Sequence, residues 1–134
     1  MPGAEVETAH AAYEAFSRGD GSFFEFLDAE VEWHPAAHFI EGPVHGHDEL
    51  RRLLDSFRQA FEELRWEPLR IEQGTEAGEV VAVVDVVTKG RGSGAEGRVR
   101  VAHLLRFRDG KLIWGKVYPN AAEGLTAAGV DPSA

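Results

Sequence analysis

The sequence predicts an α+β fold, in which helices cover one face of a curved, mainly antiparallel sheet and leave a pocket between them. Residues 6–16 and 50–64 carry apolar side chains at spacings of three and four, which is typical of amphipathic helices. Residues 98–108 instead place four arginines on one side and mostly apolar side chains on the other, as a half-buried strand does. Asp109 and Gly110 then supply the residues that a tight hairpin turn requires.

The composition excludes several classes of function. A net charge of −9, from 14 basic and 23 acidic residues, argues against a nucleic acid or an anionic membrane as partner. There is no cysteine, hence neither a disulfide framework nor thiolate chemistry. No signal peptide and no apolar run of membrane-spanning length is found. We expect a cytoplasmic protein that forms a single domain over residues 1–134, with loose termini at 1–5 and 127–134.

Three helices are expected in the first half of the chain. The first ends at Gly19, which suits a helix C-cap. Asp20 or Ser22 can cap a short second helix that is rich in phenylalanine. A third helix is expected from about Asp48 to about Leu64, because acidic residues suit the first turn of a helix.

The strands follow these helices, apart from one short strand that precedes the third helix and ends at Pro35. Pro68 confines its own strand to a sheet edge or a bulge. Glycines in the segment 90–94 favour a second hairpin, and residues 123–128 favour one helical turn. The strands are expected at residues 30–35, 66–72, 79–88, 98–108 and 111–118.

The hairpin around Asp109 and Gly110 carries one polar side chain, His103, on an otherwise apolar face. A loop of only these two residues predicts the register of the two strands, and a bulge at Gly110 would shift that register by one residue. The predicted cross-strand pairs are Phe107 with Leu112, Leu105 with Trp114, and Val101 with Tyr118.

Four strings of the sequence resemble the SnoaL-like branch of the nuclear transport factor 2 superfamily. They are residues 13–20 (YEAFSRGD), 28–33 (DAEVEW), 46–50 (GHDEL) and 107–112 (FRDGKL). The resemblance covers about residues 6–125 and implies a cone of three helices on a curved sheet. It implies a homodimer formed through the outer face of the sheet. Because the superfamily contains both enzymes and binding domains, the fold alone does not determine an activity.

The resemblance to ketosteroid isomerases within this superfamily indicates where proton-transfer groups would lie. His34, in the pair His34-Pro35, occupies the place of that family's general base. His103 occupies the place of its protonated acidic donor, and the helix tyrosine falls near Ala12, one residue from Tyr13. Because these residues differ from the family pattern, steroid isomerisation is not the expected reaction.

His34 and His103 are therefore the candidate catalytic pair. An unperturbed imidazole has a pKa near 6.5, so one histidine could accept a proton while the other polarises a carbonyl group. The alternative is that His103 is a core histidine with its hydrogen bonds satisfied and that His34 is a loop residue. Strand parity leaves open whether Trp33 or His34 faces the pocket.

Asp85 is the third candidate catalytic residue. It shares a strand face with valines, so it needs a polar partner. Asp85 could orient His103, as carboxylates behind catalytic histidines do. It could equally form an ion pair with Arg98 or Arg100.

Aromatic side chains are the candidate lining of an apolar ligand pocket. Phe57, like Phe16, is explained more simply as part of a helix core. Four histidines between residues 34 and 47 invite a metal site, but they lie on a loop without cysteine, so no metal and no cofactor are expected. The candidate lining residues are Tyr13, Trp33, Phe39, Phe57 and Trp114.

The sequence thus predicts a domain that binds a small, largely apolar organic molecule. If it is an enzyme, the expected reaction is isomerisation, cyclisation, dehydration or epoxide hydrolysis by acid/base chemistry. The alternative is a non-catalytic ligand-binding or dimeric assembly domain.

Overall fold

The computed structural model describes residues 3–19, 21–36 and 42–133, and shows three α-helices and a six-stranded sheet. A short 3₁₀ helix, Ser22–Phe26, follows the first α-helix. The α-helices are α1 (Ala4–Arg18), α2 (Gly46–Ala60) and α3 (Ala121–Ala127). The strands are β1 (Leu27–His34), β2 (Val44–His45), β3 (Phe61–Gln73), β4 (Glu79–Gly90), β5 (Glu96–Arg108) and β6 (Lys111–Tyr118).

The sheet is curved but not closed, and its strands lie in the order β2-β1-β6-β5-β4-β3. All neighbouring strands are antiparallel except β1 and β6, which are parallel. Helices α1 and α2 pack on one face, which we call the helical face, and α3 packs on the other, the outer face. The predicted α+β architecture is confirmed.

Helix α1 ends as the sequence predicts, whereas α2 ends earlier than predicted. Gly19 adopts a left-handed conformation (φ 68°) and its backbone N–H donates to the carbonyl of Phe16. Helix α2 stops at Ala60, about one turn before the predicted end at Leu64. There the Arg91 guanidinium donates hydrogen bonds to the carbonyl oxygens of Arg58 and Gln59. These two oxygens lie in the last turn of the helix, where the helix itself supplies no N–H donor. The residues beyond Ala60 pair with β4 instead.

Strand β3 lies at an edge of the sheet and also contains a bulge, as Pro68 predicts. Pro68 pairs with Val84 and Arg70 pairs with Val83, so Leu69 is the additional, unpaired residue. The sequence analysis missed β2, a two-residue strand next to β1.

The β5–β6 hairpin has the predicted two-residue turn but a different register. Phe107 pairs with Leu112 as predicted. Trp114, however, pairs with Arg106 and not with Leu105, and Tyr118 pairs with Ala102 and not with Val101. The register shifts at Ile113, within β6, and not at Gly110. Because side chains alternate along a strand, this shift turns Trp114 to the outer face. There it packs with the hydrophobic cluster beneath α3.

Within the described ranges, no helix is long and apolar enough to cross a bilayer.

Candidate functional site

Three aromatic rings surround His103 on the helical face of β5. The ring of Trp66 crosses that of His103 at a centroid distance of 5.1 Å, and the ring of Trp33 does so at 5.2 Å. Tyr13 of α1 stacks against the imidazole at 5.9 Å, with an angle of 15° between the ring planes. His103 is only 2% exposed. We call these four side chains the aromatic box.

One hydrogen bond joins the imidazole to α1. The hydroxyl oxygen of Tyr13 lies 2.8 Å from Nδ1 of His103. Among the described residues, no second hydrogen bond to the imidazole is found, so Nε2 has no protein partner there. The box therefore contains one polar group that a ligand could contact.

Burial keeps both members of this hydrogen bond uncharged at neutral pH. Desolvation lowers the pKa of His103 from 6.5 to about 3, because a charged imidazolium is unfavourable among apolar rings. Desolvation likewise raises the pKa of Tyr13 above its ordinary range. His103 is thus suited to hydrogen bonding as a neutral imidazole and is a weak base.

Strand β1 places Trp33 on the helical face and His34 on the outer face. The Trp33 ring packs directly over Gly115, where a Cβ atom would overlap it. His34 instead pairs through Nε2 with the carboxylate of Glu32 at 2.5 Å and lies against Trp114. The structure therefore does not bring the candidate pair His34 and His103 together, because they lie on opposite faces of the sheet.

Asp85 also lies on the outer face, as its register between β3 and β5 requires. Its carboxylate accepts from Arg100 Nε at 2.9 Å and from Arg98 Nη1 at 3.0 Å. The Arg100 guanidinium, together with that of Arg98, lowers the pKa of the Asp85 carboxyl below its usual range. Of the two roles left open by the sequence, the geometry shows the ion pairs, and an orienting contact with His103 is absent from the described residues.

The remaining candidate lining residues have different positions. Trp114 lies on the outer face under the guanidinium of Arg106, 4.2 Å from the ring centre, so the prediction that it lines the interior does not match the structure. Phe57 is partly buried and packs against the core of the helical face. Phe39 lies outside the described residues.

Trp66 was not predicted as a site residue. A signal was present, since Leu64 and Trp66 are apolar residues two positions apart, shortly before the strand-breaking Pro68. The overlong prediction for α2 obscured this signal, because it assigned Leu64 to a helix.

Beyond the box, the helical face of β5 is less covered. Val99 is 60% exposed, and Val86, its partner on β4, is partly buried. This apolar surface adjoins the box. Surface clefts formed by the described residues lie elsewhere, among them one lined by residues of the outer face such as Arg106 and Trp114 and one beside α3.

A metal centre is not indicated by the described part of the chain. No group of three or more histidine, aspartate or glutamate side chains is arranged there to hold an ion.

Comparisons with known proteins agree with this architecture. A family model described as a SnoaL-like domain matches residues 9–114, which is most of the chain. No curated protein sequence matches the chain.

Solved structures with the same fold share little sequence with the chain. An NTF2-like protein of unknown function from Burkholderia pseudomallei K96243 is 21% identical, with a TM-score of 0.75 over 93% of this chain and 97% of that one. TerC, co-crystallised with polyporic acid, is 18% identical, with a TM-score of 0.75 over 90% and 94%. A putative polyketide cyclase from Xanthomonas campestris pv. campestris is 19% identical, with a TM-score of 0.76 over 90% and 93%. These likenesses show the fold, and the family match shows that the chain belongs to the SnoaL-like domain family.

Proposed function

We propose that the aromatic box binds a small, largely apolar organic molecule and that His103 donates a hydrogen bond to an oxygen of that molecule. One observation carries this proposal. A buried, neutral imidazole uses Nδ1 for Tyr13 and has no partner for Nε2 among the described residues. Small-molecule sites commonly combine apolar walls with such a single polar group.

The direction of the Tyr13–His103 hydrogen bond determines what the ligand must offer. A phenol hydroxyl is a good donor, and the unprotonated nitrogen of a neutral imidazole is its acceptor. We therefore assign the hydroxyl proton of Tyr13 to the bond with Nδ1, which leaves the ring proton of His103 on Nε2. A carbonyl or epoxide oxygen would satisfy this donor, whereas a protonated amine would not.

As an enzyme, the protein would use His103 to polarise that oxygen during an isomerisation, cyclisation, dehydration or epoxide opening that requires no cofactor. A neutral imidazole can stabilise negative charge that develops on an oxygen. The low basicity of His103 disfavours it as the general base. The solved structures of a putative polyketide cyclase and of TerC with polyporic acid support a small organic ligand for this fold.

We further propose that the protein is a cytoplasmic homodimer that associates through the outer face. Ile113, Trp114 and Tyr118 are partly exposed there, beside the area that α3 covers. Aromatic residues are enriched in such interfaces. Sedimentation velocity of the purified protein would measure its oligomeric state, and a monomer at all concentrations would contradict the dimer.

One observation favours the alternative, a non-catalytic binding or assembly domain. The Trp66 ring occupies the space beside His103, so the described interior is filled by the protein's own side chains. In that case the aromatic box serves only packing.

The experiment that separates these functions measures binding of a neutral aromatic ketone, 2-acetylnaphthalene, by NMR and calorimetry. Replacing His103 by Leu, which has no hydrogen-bond donor, should weaken binding by about three- to tenfold, which corresponds to the loss of one hydrogen bond. The matched control is His10→Leu, on the exposed side of α1. Binding that is absent, or equal in wild type and His103→Leu, would contradict the proposed function.

A further inference from the structure

Trp66 differs from the other members of the aromatic box in its exposure and its contacts. Its ring stacks on Phe16 at a centroid distance of 3.8 Å and also meets the rings of Tyr13, Trp33 and His103. Those three residues are buried, whereas Trp66 is partly exposed. Among the four, Trp66 is therefore the one that reaches the protein surface.

The strand register places Trp66 at the boundary between the closed and the open parts of the helical face. Trp66 pairs with Val86, which in turn pairs with Val99. Val99 is more exposed than Leu69, the other exposed large hydrophobic residue of the described part of the chain. Trp66 therefore belongs to this apolar row and also contacts the His103 ring.

Of the three strands that carry members of the aromatic box, only the one with Trp66 lies at an edge of the sheet. Strand β3 lies at the edge of the sheet and is hydrogen-bonded to one neighbour, β4. The bulge at Leu69 interrupts that pairing three residues beyond Trp66. Tyr13 and His103, by contrast, hold each other through their hydrogen bond, and Trp33 is confined against Gly115.

We propose that Trp66 is the movable wall of the aromatic box and that it determines the size of the ligand that reaches His103. Displacing the ring from its stack on Phe16 opens the space beside the imidazole and joins it to the apolar surface at Val86 and Val99. A single aromatic ring then needs only a small displacement, whereas a bicyclic molecule needs the full space that the indole occupies. This inference rests on the proposed function, since it assumes that the box is the ligand site.

The test compares two neutral ketones of different size, acetophenone and 2-acetylnaphthalene, on the full-length protein. Replacing Trp66 by Ala should increase the affinity for 2-acetylnaphthalene at least about tenfold and change that for acetophenone less than about threefold. Trp66→Phe should give an intermediate gain and preserves a ring that can stack on Phe16. Trp114→Ala, a tryptophan change on the outer face, is the control and should leave both affinities unchanged.

Three results overturn the proposal. One is no gain in affinity for 2-acetylnaphthalene in either Trp66 variant, the second is an equal gain for both ketones, and the third is the same gain in Trp114→Ala. Adding His103→Leu, which removes the hydrogen-bond donor, to the Trp66→Ala background separates this inference from the proposed function. If the gain from Trp66→Ala persists but does not depend on His103, the hydrogen-bonding role fails and the movable wall stands. If removing the His103 donor weakens binding but the Trp66 variants bind both ketones as the wild type does, the movable wall fails and the hydrogen-bonding role stands.

Discussion

The hydroxyl of Tyr13 and Nδ1 of His103 lie 2.8 Å apart, although 90 residues separate them in the chain. This contact links α1, which packs mainly on β3, to β5, and it occupies one of the two nitrogens of a buried imidazole. It is the only polar link between α1 and the helical face of the sheet among the side-chain hydrogen bonds of the described residues. Both the stability and the chemistry of the site follow from it.

Removing the hydroxyl should destabilise the fold. In Tyr13→Phe, Nδ1 of His103 would lose its partner in a buried environment, which costs about 1–3 kcal/mol. Urea denaturation measures this free energy of unfolding. Tyr118→Phe is the matched control on the outer face, and a similar loss in both variants would contradict the special role of the Tyr13 contact.

Stability should fall with decreasing pH because of His103. Its pKa is about 3 when folded and 6.5 unperturbed, so between these values the unfolded chain binds one more proton than the folded chain. The folded state therefore loses about 2 kcal/mol between pH 7 and pH 5 from this group alone. Denaturation at several pH values should show this dependence in the wild type and a weaker dependence in His103→Gln, because carboxylates such as Asp85 still contribute. The His10→Gln control should retain it, and an unchanged dependence in His103→Gln would refute the assignment.

Asp85→Asn should lower the thermal midpoint without affecting ligand binding. The substitution removes the charge that holds Arg98 and Arg100 over the outer face, and it lies on the face opposite to His103. Calorimetry of 2-acetylnaphthalene binding at a temperature where the variant is folded checks the second part. Loss of binding in the folded variant would contradict this prediction and would indicate that Asp85 orients His103.

Gly115→Ala should disturb the packing of Trp33, one of the four side chains of the aromatic box. A Cβ there would overlap the Trp33 ring, and excess volume in a packed core costs about 1–3 kcal/mol. We expect lower stability and a changed chemical shift of the Trp33 indole. Gly97→Ala is the control, since its Cβ would meet only the Thr88 hydroxyl, which can rotate away. Equal stability of the two variants would show that Trp33 is not confined by Gly115.

The sequence predicted the helices, most strands and the position of His103 on an apolar face, because hydrophobic periodicity and turn residues are local signals. It did not predict the contacts that depend on distant parts of the chain. Arg91 ends α2 from another hairpin, and the bulge at Ile113 reverses the orientation of Trp114. No local sequence pattern indicates either feature. The Arg91 contacts accompany the earlier end of α2, and the bulge at Ile113 removes Trp114 from the helical face.

The alternation of side chains along β1 also determined whether His34 could lie near His103. Trp33 and His34 are adjacent, so only one of them can face the interior, and the packing of Trp33 over Gly115 settles which. The pairing of His34 with His103 was therefore the least secure inference from sequence, and the hydrogen bond of Tyr13 with His103 was not predicted.

The most direct test of the central claim is an NMR measurement of the ring nitrogens of His103 from pH 8 to pH 4. The account predicts a neutral ring throughout, protonated on Nε2, whose Nε2–H resonance shifts when 2-acetylnaphthalene binds. A ring that titrates near its unperturbed pKa of about 6.5, or an Nε2–H resonance that does not respond to bound ketone, would contradict it.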